Sequence, residues 1–171
     1  MKTSFLTIGL VLAILSSCGS EESATFTFDK EEYGKDPEKY VVSNGEMDIM
    51  SCGMTSVLFN EKFINKAKDL VESGKSGDEF GLAIFEIFDE LSEDDPYLSI
   101  KLTESEVDWI GLSEKSKIES NKFSFPIILE NEGDEVQFTI VEKTDERLIL
   151  NTILDEGSGA SCNYPFKSIK T

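Results

Sequence analysis

The chain has 171 residues, with 34 acidic against 16 basic side chains, a formal net charge of −18, and no histidine. That charge excludes a nucleic-acid role, since phosphates are bound by Lys and Arg that displace counterions, and it opposes docking of the protein surface on anionic lipid. The missing histidine removes the Ser-His-Asp and Cys-His mechanisms and the commonest zinc and haem ligands.

In chain order, the first element is a secretory signal. Lys2 is followed by an apolar run, Phe5 to Leu15, and then by Ser16, Ser17 and Cys18. The run is too short to span a bilayer core, which takes about 20 residues, so a processed signal is expected. Leu15-Ser16-Ser17-Cys18 resembles the lipobox of bacterial lipoproteins. The resemblance implies a signal peptide at 1–17 and a diacylglyceryl thioether on Cys18. It also implies attachment to a membrane of the bacterial cell envelope; the outer membrane or cell surface is expected ahead of the inner membrane. Residues 18–23 are small and acidic and read as a flexible tether. They are similar to the acidic segment that directs some lipoproteins to the cell surface. Residues 24–171 then make one domain's worth of chain.

Ala24 to Asp29 alternates apolar and polar, as a half-buried strand does. Asp29 to Tyr40, charged and carrying Asp36-Pro37, is expected as a loop, and Tyr40 to Val42 as a short strand ending at the Asn44-Gly45 turn. Met47 to Leu58 is expected as strand or buried loop. Phe63, Ala67, Leu70 and Val71 mark one helix face behind an Asn60 N-cap. Ser76 and Glu79 have capping-box spacing before a second helix with the stripe Phe80, Ala83, Ile84, Ile87, Phe88 and Leu91. Leu82 and Phe85 extend that stripe so far round that the helix must sit deep or present a sticky face. Tyr97 to Leu102 alternates as a strand, and Thr103-x-x-Glu106 predicts a short helix through Val107, Trp109, Ile110 and Leu112. The last third is β-rich. Phe123, Phe125, Ile127 and Leu129 share a face, with Pro126 marking an edge strand. Asn131 to Asp134 and Lys143 to Glu146 turn between runs holding Phe138 and Ile140, then Leu148, Leu150 and Leu154. A last strand holds Tyr164 and Phe166. The elements predict an α+β fold in which an antiparallel sheet with a C-terminal β-meander packs with a central helical hairpin as a single domain.

Beyond Cys18 two cysteines remain, Cys52 and Cys162. In an oxidising envelope an even pair is expected as a disulfide closing a loop of more than a hundred residues, which contributes on the order of 4 to 5 kcal/mol by chain entropy. Met47, Met50 and Met54 crowd round Cys52. Thioethers and thiolates select Cu(I), and strand alternation would put Met50, Cys52 and Met54 on one face. Against this, methionine fills core gaps beside a disulfide, and a bridged Cys52 has no thiolate to offer. The acidic loops 93–95 and 130–135 could supply calcium oxygens, but no EF-hand pattern occurs. Adjacent carboxylates such as Asp94-Asp95 and Asp145-Glu146 follow from composition alone.

By subtraction, the expected function is a lipid-anchored, non-enzymatic binding or interaction protein with no cofactor. It would contact the membrane through its N-terminal lipid, bind no nucleic acid, and meet a protein partner, basic if charge decides, through its acidic side or Leu82 and Phe85. The alternatives are a carrier of a small apolar ligand, with a pocket lined by Phe80, Phe88 and Phe138, and a calcium- or copper-binding lipoprotein.

Overall fold

In a computed structural model the described residues are 23–42, 46–75, 77–125, 136–153 and 160–169. The signal, Cys18 and all of the tether but Ser23 lie outside them, as do Asn44-Gly45, Ser76, the segment 126–135 with Pro126, Ile127 and Leu129, and Leu154.

The described strands are β1 (Ala24–Phe28), β2 (Ser99–Leu102), β3 (Glu106–Ile110), β4 (Glu114–Lys117), β5 (Lys122–Ser124), β6 (Gln137–Lys143), β7 (Arg147–Ile153) and β8 (Ser161–Ser168). They form one antiparallel sheet in the order β4-β3-β2-β1-β8-β7-β6-β5. Between β1 and β2 the chain inserts α1 (Lys30–Lys35), α2 (Glu46–Ser56), α3 (Glu61–Glu72) and α4 (Gly77–Asp89). The fold is therefore α+β with an antiparallel sheet.

The sheet curves until its two ends nearly meet. Ser116 Oγ on β4 donates to the Ser124 carbonyl on β5 at 2.7 Å, and the Trp109 indole N–H donates to Ser116 Oγ at 3.1 Å. Near-closure leaves little free strand edge for another chain to pair with. A β-bulge between Ile140 and Glu142 shifts the β6–β7 register and turns Val141 outward. Such an extra residue bends and twists its strand.

The concave face is packed with rings. Phe26, Trp109, Phe138, Tyr164 and Phe166 are fully buried. Phe59, at the end of a 3-10 turn over Val57–Phe59, enters from the helical insert, its ring 5.1 Å from Phe28, 5.1 Å from Tyr164, 5.0 Å from Phe166 and 5.6 Å from Phe138. Edge-to-face and tilted pairs of this kind add stabilisation beyond the area they bury. The insert is thus bound to the sheet through its own apolar residues.

Covalent attachment reinforces it. Cys52 on α2 and Cys162 on β8 form a disulfide, with both residues fully buried and their Cα atoms 5.5 Å apart. The Tyr164 hydroxyl donates to the Cys52 carbonyl at 3.1 Å. Pro165 sits within β8 where β1 has already left the sheet: Asp29 N donates to the Pro165 carbonyl at 2.9 Å, and the N–H that proline lacks would point to the same side. That is the tolerated position for proline in a strand.

Four expectations are corrected. Asp29 to Tyr40 holds α1 and a 3-10 turn over Pro37–Tyr40 instead of a loop, because Asp29 caps the Glu32 N–H at 3.2 Å and Pro37 opens the next turn. Tyr40 to Val42 is not a strand of its own; Val41 makes a lone bridge to Cys162 and Val42 N donates to the Ser161 carbonyl at 2.8 Å. Met47 to Leu58 is α2 and a 3-10 turn rather than strand or buried loop. The segment after Thr103 is β3 rather than a helix. Thr103 Oγ1 does accept the Glu106 N–H, at 3.0 Å, but inside a tight turn, and Val107 and Trp109 then alternate into the core.

Candidate functional site

Among the described residues, the least covered apolar surface on a helix belongs to α4. Its inner side is anchored: Ala83 and Ile87 are buried, and the Phe88 ring lies 5.1 Å from Phe63 of α3. Just past its end, the Glu90 carboxylate pairs with Lys66 and the Glu90 carbonyl accepts from Lys62, both on α3. The hydrogen bond and charge of Lys66 hold the Glu90 carboxyl below the usual carboxylate range. α3 itself starts at Asn60, whose buried side chain accepts the Phe63 N–H at 3.0 Å.

Among the described residues the outer side of α4 has no such cover. Leu82 is 67% exposed and Phe85 65%. Three residues apart on a helix, their side chains are neighbours about 5–6 Å apart at Cβ. Asp78, Glu79, Glu86 and Asp89, all exposed, complete that side, and the helix sequence GDEFGLAIFEIFD has no Lys or Arg. Water-facing leucine and phenylalanine forgo roughly 1.5–3 kcal/mol each relative to full burial. The result is an apolar pair ringed by carboxylates, which can bury against an apolar surface and attract cationic side chains at its rim.

A second feature is an open groove of about 580 Å³ between the end of β1, α1 and the turn at 93–97, floored by Phe28, Pro96 and Tyr97. Its rim lysines are already engaged: Lys35 with Glu31 at 3.1 Å, Lys167 with Asp29 at 3.2 Å, and Lys30 over the Tyr97 ring at 5.6 Å. Next to it, Glu32 accepts from Lys39 at 3.1 Å and from the Tyr40 hydroxyl at 3.0 Å, and Arg147 donates to that hydroxyl at 3.3 Å. The Lys39 hydrogen bond, then that of Tyr40, lowers the Glu32 carboxyl below its usual value. These contacts tie α1 to β7 and have a structural use without further chemistry.

The remaining site residues named from the sequence fall as follows. Cys52 is spent in the disulfide, and Met50 and Met54 are 57% and 53% exposed on α2. The shared face expected from strand alternation does not exist, because a helix sends Met50 and Cys52 in nearly opposite directions. Met47 lies in the first turn of α2, with its side chain outside the described part. Asp95 accepts the Ser92 N–H at 2.7 Å and faces Lys62 at 3.8 Å. The loop 130–135 lies outside the described residues. Among the described residues no three or more His, Cys, Asp or Glu side chains cluster as metal ligands. Phe80, Phe88 and Phe138 do not share contacts among the described rings: Phe88 meets Phe63, and Phe138 meets Phe59, Trp109, Phe123 and Phe125. No helix among the described residues is long and apolar enough to cross a membrane.

No known protein family, curated protein or solved structure matches the chain.

Proposed function

We propose that the chain is an exported, lipid-anchored and non-enzymatic binding protein of the bacterial cell envelope, which docks a partner protein on the outer face of α4. In this reading α3 and α4 form a helical hairpin standing out from the curved sheet, whose last four strands make a meander. The lipid on Cys18 holds the domain at a membrane, and the tether gives it reach. The observation that carries the reading is the exposure of Leu82 and Phe85 inside a ring of four carboxylates. The complementary partner surface is an apolar groove with a lysine- or arginine-rich rim. Charge selects against a second copy, because the whole chain is at −18 and α4 has no cation to offer. The acidic rim would speed encounter and fix orientation, and the apolar pair would supply the buried contact.

A photo-crosslinking residue introduced at position 85 in living cells tests this. The expected result is one discrete adduct from position 85 and none from position 101, an exposed site on β2. Raised salt should weaken the adduct, since rim charges are screened. Equal labelling at both positions, or none at 85, would remove the reading.

A further inference from the structure

We infer that the exposed face of α2 is a thioether site for a soft monovalent cation, Cu(I), independent of the α4 surface. Its residues are Met50 and Met54. One helical step of four residues leaves their Cα–Cβ directions only about 40° apart, and stacks them one turn above the other. Cys52 lies about 200° round from Met50, on the buried side. The ordinary use of methionine beside a disulfide, filling gaps in the core, therefore does not describe these two. They point away from the bridge and are more than half exposed.

Thioether sulfur is a soft neutral donor that selects Cu(I) over the hard divalent cations. Two methionines with three rotatable bonds each, whose Cβ atoms are about 5–6 Å apart, can bring their sulfurs onto one ion. Met47 lies in the same helix, three residues before Met50. Every methionine of the chain except Met1 thus falls in one segment of α2. The chain carries a net charge of −18, and α2 has no Lys or Arg to repel a cation. Both Cys52 and Cys162 are bonded to one another, so neither thiolate competes.

The test uses the full chain with Cys18→Ser in every sample, so that no free thiol is present. Cu(I), held reduced by ascorbate, is partitioned between the protein and a coloured Cu(I) chelator, while the methionine ε-methyl resonances are followed by NMR. The expected result is one Cu(I) per chain, with the Met50 and Met54 methyls shifting together. Met50→Leu/Met54→Leu should weaken binding at least tenfold with an unchanged circular dichroism spectrum, and Met47→Leu alone reports whether a third donor takes part. Unmoved methyls, or equal affinity in the double variant, would overturn the assignment. Loss of the α4 interaction would leave it untouched.

Discussion

Replacing Cys52 and Cys162 together with alanine removes the disulfide that cross-links the helical insert to the sheet. The bridge spans a sequence separation of 110 residues. For a loop of that length the chain-entropy relation gives about 16 cal/mol/K, or about 4.8 kcal/mol at room temperature, by which the unfolded state of the cross-linked chain is disfavoured. Two buried sulfurs are also lost, but each alanine leaves only a small void, so the entropic part dominates. Against a typical total stability of about 5–15 kcal/mol, the variant should be marginal at 37 °C. Urea unfolding followed by tryptophan fluorescence reads this directly. The midpoint should fall steeply, and the slope m should rise, because the uncrosslinked chain exposes more surface when it unfolds. A loss below about 1 kcal/mol with unchanged m would refute the reasoning, since the bridge would then constrain little in the unfolded state.

Three further changes probe the core and its edges. Ser116→Ala removes the acceptor of the buried Trp109 N–H and the link from β4 to β5; it should cost about 1–3 kcal/mol, with a red-shifted emission from the single tryptophan, and an unchanged unfolding midpoint would show that the seam contributes nothing. Asn60→Ala deletes the N-cap of α3 and should cost about 1–2 kcal/mol, read from the same urea curves. Burial pushes the Tyr164 hydroxyl well above its ordinary value, so the folded state holds that proton more tightly than the unfolded one. The stability this represents is complete below about pH 10 and is lost as pH rises beyond it. Tyr164→Phe should therefore flatten the alkaline decline by up to about 1.4 kcal/mol per pH unit, while giving up the hydrogen bond to Cys52; an identical slope above pH 10 would contradict it.

What could be read from the sequence followed the strength of its periodicity. β1, α3 with its Asn60 cap and α4 carry alternation or helical stripes, β7 and β8 carry apolar runs bounded by turns, and each forms where expected. The disulfide pairing followed from there being two cysteines beyond Cys18. The misread segments are those where a local signal and a tertiary use diverge. Thr103-x-x-Glu106 has the spacing of a helix cap, yet the same hydrogen bond closes a turn when the following residues alternate. Met47 to Leu58 has no clear amphipathic period, and its helical state rests on burying Cys52, Leu58 and Phe59 against the sheet. β4, with the sequence EKSK, has no apolar residue to announce it. It is a strand because it pairs with β3 and because Ser116 closes the seam to β5. The α4 face was legible as an excess of apolar residues for one helix. Which of them stay uncovered depended on the packing of α4, which buries Ala83 and Ile87, sets Phe88 against Phe63 of α3, and leaves Leu82 and Phe85 out.

The central proposal, docking through α4, is tested most directly by paired affinity capture. Lipidated, C-terminally tagged protein and its Leu82→Ser/Phe85→Ser variant are recovered from cells crosslinked in place, and the captured proteins are quantified by mass spectrometry. Both exposed positions tolerate serine, so the two forms should unfold at closely similar urea concentrations. One partner held near stoichiometry by the unmodified chain, and reduced at least tenfold by the double substitution, is the expected result. The same partner captured equally by both forms would place the contact elsewhere on the molecule and end the α4 proposal.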